Sequence, residues 1–189
     1  MRQELLSKER ADSRDMFARI AHRYDLLNRM LSLGRDVSWR KTVAQRVAAA
    51  HGKRVLDVCT GTGDLALAMH DAAVVGADFC LPMLAEARAK TQLRGRQVEL
   101  CAADALRLPI ADATVDVVTV AFGIRNFADL ELGLAELVRV LRPGGTLLVL
   151  ELSRPRGPMA PLLGWWVRRV PPRVGRLLSG DSEAYSYLP

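Results

Sequence analysis

The chain has 189 residues, half of them hydrophobic and a quarter charged, the balance of a single globular domain; it excludes a disordered polypeptide. No apolar run approaches the roughly 18 residues that a membrane span requires, and the charged N-terminus MRQELLSKERADSRD lacks the apolar centre of a secretory signal. The net charge of +6 equals the six arginines between Leu152 and Gly180, a stretch without acids, so the rest of the chain is neutral; with the excess in one arm and no nucleic-acid motif, nucleic acid is not expected as a partner. Cys59, Cys80 and Cys101 form no CxxC pair, so neither a disulfide framework nor a metal site is expected, and all three read as small buried residues. These features predict a soluble cytosolic protein.

In chain order, Ser13–Leu31 reads as one helix, with Met16, Ile20, Tyr24, Leu27 and Leu31 on an apolar stripe. Val37–Ala50 reads as a second helix. From Lys53 onward, β-branched runs alternate with helical patterns, the signature of a parallel α/β sheet. The predicted strands are Arg54–Val58, Ala73–Ala77, Gln97–Cys101, Val115–Ala121 and Thr146–Leu152, the fourth buried on both faces. Helices are predicted from Asp64 to Asp71, over Leu81–Thr91, and over Leu130–Leu141. The last has Leu134, Leu137, Val138 and Leu141 on its inner face and ends at Pro143-Gly144-Gly145. The organisation expected is a helical cap (1–51), a nucleotide-binding core (52–152) and a basic amphipathic arm (153–189).

The strongest local signal is Asp57-Val58-Cys59-Thr60-Gly61-Thr62-Gly63-Asp64, a strand breaking into a glycine loop and then a helix. Such a loop lets the backbone approach a ligand at the carboxyl end of the first strand. It also satisfies GxGxxA, so the loop alone leaves open a dinucleotide or a plain tight turn. The acids separate the cofactors. Asp57 is expected at the mouth of the loop, where a carboxylate would repel a pyrophosphate but favour the ammonium and sulfonium of S-adenosylmethionine. Asp78 ends the second strand, placed for ribose hydroxyls, and Asp104-Ala105 follows the third, placed for an adenine edge.

Taken together, these residues resemble a class I methyltransferase, and more narrowly the ubiquinone/menaquinone biosynthesis C-methyltransferases. Met16-Phe17-x-x-Ile20-Ala21-x-x-Tyr24-Asp25-x-x-Asn28, Leu31-Ser32-x-Gly34 and Trp39-Arg40 carry the likeness at the N-terminus. Asp78-Phe79, Met83-Leu84, Asp104-Ala105-x-x-Leu108-Pro109, Phe122-Gly123-Ile124-Arg125-Asn126, Arg139-Val140-Leu141-x-Pro143-Gly144-Gly145 and Ala184-Tyr185-x-Tyr187-Leu188 continue it.

The resemblance implies a Rossmann-like doubly wound sheet under a helical cap. It also implies contacts from Asp57, Gly61, Thr62, Asp78, Asp104, Ala105 and Ala121 to S-adenosylmethionine, with Ala121 standing where many relatives have serine. The implied reaction is C-methylation of a polyprenyl quinol, a demethylmenaquinol above all. Arg125 is the expected phenolate stabiliser, Asn126 the residue that orients an oxygen or a water, and Tyr24 a ring-covering donor. Arg125 could instead pair with Asp129 or a helix end, Tyr24 could be core, and His22 reads as exposed. Family members continue past the position of Pro189 into a helix and an antiparallel strand pair, so these are expected to be absent and a homodimer is a further expectation. Met159, Leu162, Leu163, Trp166, Val167 and Val170, flanked by arginines, suggest peripheral membrane contact. An NAD(P)-dependent oxidoreductase, or a cofactor-binding module without turnover, remain the alternatives.

Overall fold

In the computed structural model of the chain, residues 15–153 and 157 are described. The expectations for the basic arm, and for Ser13 at the start of the first helix, lie outside that range. Five parallel strands, β1 (Arg54–Val58), β2 (Ala73–Asp78), β3 (Glu99–Ala102), β4 (Val115–Ala121) and β5 (Leu141–Leu150), form one sheet in the order β3-β2-β1-β4-β5. The order reverses between β1 and β4. In open α/β sheets this is where the loops on either side diverge and leave a crevice at the carboxyl ends.

β4 is interior, as its unbroken apolar run predicts: Val117, Val118 and Val120 have no exposed surface. Each such side chain contributes about 1.5–3 kcal/mol by leaving water. One core cluster joins β1, β2 and β4 to α6 (Leu130–Val140), with Leu56, Val58, Val118, Leu137 and Val140 at its centre. The other face packs α3 (Arg35–Ala49) and α4 (Asp64–Ala68) on Val55, Val74 and Val117. The Asp116 carboxylate accepts from the Lys53 and Arg54 amides at 2.9 and 2.8 Å, which fixes the start of β1 against β4.

Three local expectations are corrected. The predicted N-terminal helix is a helix over 15–20 (α1), a 3-10 turn Ala21–Arg23 and α2 (Tyr24–Leu31). The tighter turn brings Phe17, Ile20, Ala21 and Leu27 together against Cys80 and Met83 at the start of α5 (Leu81–Leu93). The last helix ends at Val140, because Pro143 disfavours helical geometry at Arg142 and the chain turns extended at Leu141. Pro143-Gly144-Gly145 therefore lies inside β5, where the ladder to β4 is irregular between Val115 and Val117. Finally, Val138 faces solvent while Val140 is buried, so the inner stripe of α6 runs through Leu137 and Val140.

Candidate active site

The crevice at the strand ends is an open cleft, continuous with solvent. Its floor is built by four successive strand-to-loop turns. After β1, Cys59, Gly61 and Gly63 all take positive φ (55°, 55° and 79°), which curls the loop. A Cβ built on Gly61 would meet nothing within 4 Å, so the loop borders open space rather than packed protein. After β2, Asp78 accepts from the Gly61 amide at 2.8 Å and the Cys80 amide at 2.9 Å, tying the glycine loop to the next strand. Burial raises the Asp78 pKa, partly opposed by these amides and that of Phe79. After β3, Asp104 accepts from Leu106 N at 2.9 Å and, with Ala105, lines the cleft. After β4, Ala121, Phe122 and Gly123 close the wall, with Asn126 on the following 3-10 turn Ile124–Asn126.

The structure thus gathers Gly61, Asp78, Asp104, Ala105 and Ala121 around one cleft, and places two others behind it. Asp57 does not point into the loop mouth. It is 1% exposed and accepts from Thr119 Oγ1 at 2.6 Å, across its register pair in β4, and from Thr60 Oγ1 at 2.7 Å. Burial, less the effect of these hydroxyls, pushes its pKa from 3.8 to about 6. Thr62 is equally withdrawn: its hydroxyl donates to Asp25 Oδ1 at 2.6 Å and accepts from Lys90 Nζ at 3.0 Å.

On the cap side, Tyr24 lines the cleft and meets Phe17 edge to face at 6.2 Å. Burial raises its pKa despite a hydrogen bond with Asn28, so the phenol stays protonated. Asn126 lines the cleft, but Arg125 does not; its guanidinium is ion-paired with Glu151 just beyond β5. Asp129, the partner considered for Arg125, instead accepts from Leu132 N at 3.1 Å as the cap of α6. Cys59 is half-buried in the cleft wall rather than core, and Cys101 is also only partly buried. Burial and the surrounding carboxylates drive the Cys59 thiol well above its usual pKa, so it is no nucleophile. His22 is exposed, as expected, at 3.2 Å from Glu86.

Sequence reasoning missed two polar clusters that set this geometry. Lys90, on α5, is ion-paired with Asp25 of the cap and with Asp64 at 2.7 Å at the head of α4. Asp36 and Arg40 form a buried ion pair in which Ser32 donates to Asp36 at 2.8 Å, and the Arg40 guanidinium stands 5.6 Å over the Phe122 ring. Trp39 flanks the same ring at 6.2 Å. Phe122 takes φ 58°, uncommon for an aromatic residue, with its amide donating to Leu150 O at 2.8 Å and its ring against these neighbours from α3. The Trp39-Arg40 pair in the sequence was the one visible signal of this.

The donor set tests which cofactor fits. Among the described residues the cleft lining holds two carboxylates, Asp78 and Asp104, and neither lysine nor arginine. A pyrophosphate would find no cation there, whereas a sulfonium nucleoside meets carboxylates beside the apolar Phe79, Met83 and Leu106.

The likeness to known proteins agrees. A demethylmenaquinone methyltransferase of Thermus thermophilus is 51% identical over 179 residues, 92% of this chain and 81% of the relative. One of Deinococcus radiodurans is 49% identical over 180 residues, 93% of this chain and 75% of the relative. The crystal structure of a S-adenosylmethionine-dependent methyltransferase from Clostridium acetobutylicum superposes with a TM-score of 0.59 at 22% identity, over 69% of this chain and 55% of that one, a likeness of fold. Residues 5–189 match the ubiE/COQ5 methyltransferase family, and the chain belongs to it.

Proposed function

We propose that the protein transfers a methyl group from S-adenosylmethionine to a ring carbon of a demethylmenaquinol. The observation that carries this reading is the cleft lining of two carboxylates without a cation, in a chain about half identical to demethylmenaquinone methyltransferases. S-adenosylmethionine supplies an electrophilic methyl carbon on a sulfonium. Asp78 is placed to receive ribose hydroxyls and Asp104 with the Ala105 amide to read an adenine edge, while the Gly61 loop and Ala121 bound the space between. Asp57 and Thr62 act from behind: Asp57 as a buried negative charge opposite the cation, Thr62 as the hinge between the glycine loop and Asp25.

A neutral quinol carbon is a weak nucleophile, and ionising the adjacent hydroxyl enriches it. Tyr24, protonated at all working pH, donates to one quinol oxygen from the cap. Asn126 orients the other oxygen or a water that takes up the proton. Arg125 supplies the positive charge that favours the phenolate. It stands outside the cleft lining, paired with Glu151, so a bound ring must extend past Asn126 to meet one of the remaining guanidinium N–H groups. Chain residues then hold ring and donor in line, which is where most of the acceleration arises.

Among the described residues no helix is long and apolar enough to cross a membrane. A polyprenyl acceptor is bilayer-borne, so we place the protein as a peripheral visitor to the cytoplasmic face. The test is incubation with methyl-labelled S-adenosylmethionine and either a demethylmenaquinol or a benzoquinol precursor, followed by lipid extraction. Label in the naphthoquinol product is expected; cofactor binding without label in either lipid would reduce the chain to a binding module. Arg125→Ala is expected to abolish turnover while calorimetry shows the cofactor still bound; wild-type turnover would remove Arg125 from the mechanism.

A further inference from the structure

The corner where α2 meets α3 breaks local rules without gaining burial. Leu26, Met30, Leu33 and Val37 follow one another at steps of four, three and four, and are 54%, 44%, 72% and 53% exposed. Leu33 is the extreme case: it takes φ 54° in the turn, beside Gly34 at φ 76°. A leucine in the left-handed region is strained, and asparagine or glycine would sit there more easily. Exposed to this degree, Leu33 gains little packing among the described residues to offset that strain. A residue that violates both backbone and burial preference points to a partner outside the molecule.

Charge says what kind of partner. Arg29, Arg35 and Lys41 stand exposed around these side chains, Arg29 approaching Asp64 only at 4.0 Å. The two acids of the same stretch are turned inward. Asp25 is held by Thr62 and Lys90, and Asp36 is buried against Arg40 and Ser32. The outward face is therefore apolar and cationic, a combination complementary to an anionic lipid surface. It also adjoins the cleft: α2 has eight residues, with Tyr24 in the cleft wall at its first position and Leu31, next to the apolar corner, at its last. At about 1.5 Å per residue the seven steps between them separate the two by about 10 Å along the helix.

We propose that Leu26, Met30, Leu33 and Val37, ringed by Arg29, Arg35 and Lys41, form a docking face for anionic bilayer, from which the hydrophobic acceptor passes to the cleft. The inference rests on the quinol reading above and adds the surface by which that substrate is reached. The variant L33N/V37D tests it with little risk to folding. Asparagine tolerates the left-handed turn, and aspartate in the first turn of α3 suits the helix dipole. Thermal unfolding of the variant should match that of the wild type.

Wild type is expected to co-sediment with phosphatidylcholine vesicles containing phosphatidylglycerol, and less with pure phosphatidylcholine or at high salt. L33N/V37D is expected to lose about tenfold or more of that binding. Its methylation of a vesicle-borne acceptor should fall in step, while transfer to a short-chain acceptor free in solution is unchanged. R35Q/K41Q should remove the salt-dependent part alone. Vesicle binding by L33N/V37D equal to wild type would assign docking elsewhere, residues 153–189 included, and overturn the proposal. So would a wild type indifferent to anionic vesicles, or a dimer that L33N/V37D converts to monomers. Vesicle binding lost in L33N/V37D while the wild type methylates neither acceptor would uphold the docking face and sink the quinol reading instead.

Discussion

Where β1 and β4 lie side by side, Val55, Leu56, Val58, Val117, Val118 and Val120 meet with almost no exposed surface, and apolar burial holds the strands. In the cap, α3 packs on the sheet through Val43 and Val47, but where residues 15–31 meet that core, the apolar contact among the described residues is one small cluster around Leu27 and Met83. The rest is polar: Asp25 with Lys90 and Thr62, Arg29 with Asp64. A non-directional force fixes the platform, and a few directional bonds fix the part that covers the cleft. Ion pairs open and re-form more readily than a packed core, so the cap is the element able to admit a cofactor without unfolding the sheet.

The sharpest way to break this contrast is Lys90→Met. It leaves Asp25 and Asp64 facing each other, mostly buried, without their shared cation. Removing one member of such a cluster costs about 3 kcal/mol. Amide exchange should rise over residues 15–31 and at the glycine loop while β1 and β4 keep their protection. Exchange rising equally in β1 and β4 would show that cap and sheet are a single cooperative unit. The same pairing lowers the Asp64 pKa, chiefly through Lys90 acting against burial. A depressed carboxylate stabilises the fold above the ordinary aspartate range of about 3.9 and loses that contribution as pH falls through its lowered value. Acid should therefore loosen the wild-type cap and leave the Lys90→Met cap, already loose, less affected.

Asp57→Asn probes the platform from the opposite direction, since here a charge is buried where apolar contact otherwise rules. The folded pKa, about 6, lies above the ordinary 3.8, so the folded state holds the proton more tightly. Stability then falls as pH rises from about 4 to 6, by at most about 3 kcal/mol, and stays lower above that window. The substituted amide carries no charge and can still bond Thr60 and Thr119. The variant should match wild type below about pH 4 and be more stable at neutral pH, as urea denaturation across that range would show. Its affinity for S-adenosylmethionine should drop at neutral pH, because the negative charge opposite the sulfonium is gone. A variant that is both less stable and equally tight would assign Asp57 a purely structural role.

The same contrast explains what could be read from the sequence. Strands buried on both faces announce themselves as apolar runs, and four of the five end near where they were expected. That coverage also hides orientation. With no alternation between a wet and a dry face, nothing in Arg-Val-Leu-Asp-Val says which way Asp57 points, and it turns to Thr119 rather than to the crevice. Asp78 and Asp104 could be placed because they stand just past or at strand ends, where the chain has to turn. The cap bonds could not: Thr62 and Asp25 are 37 residues apart, Lys90 and Thr62 28, and no local period encodes such pairs. Arg125 was visible as a motif residue, but its partner Glu151 lies 26 residues on, past β5.

The smallest effects concern the seam where platform and acceptor wall touch. A Cβ on Gly123 would stand 2.8 Å from Cys59 Sγ and closer still to its Cβ. Gly123→Ala must therefore push the β4 loop away from the glycine loop, at a cost of about 2 kcal/mol, with a loss of turnover through Asn126. Cys59→Gly removes the obstructing side chain and suits the backbone there, which holds cysteine at φ 55°. Alone it should change stability little: the relief of strain, about 1 kcal/mol, is set against lost packing and greater unfolded-state freedom. Combined with Gly123→Ala it should restore most of the lost stability and turnover, a coupling measured by a double-mutant cycle. Strict additivity would mean that the two loops do not set each other's position. The acceptor wall would then depend on Trp39 and Arg40 behind Phe122, and so on the cap rather than on the platform.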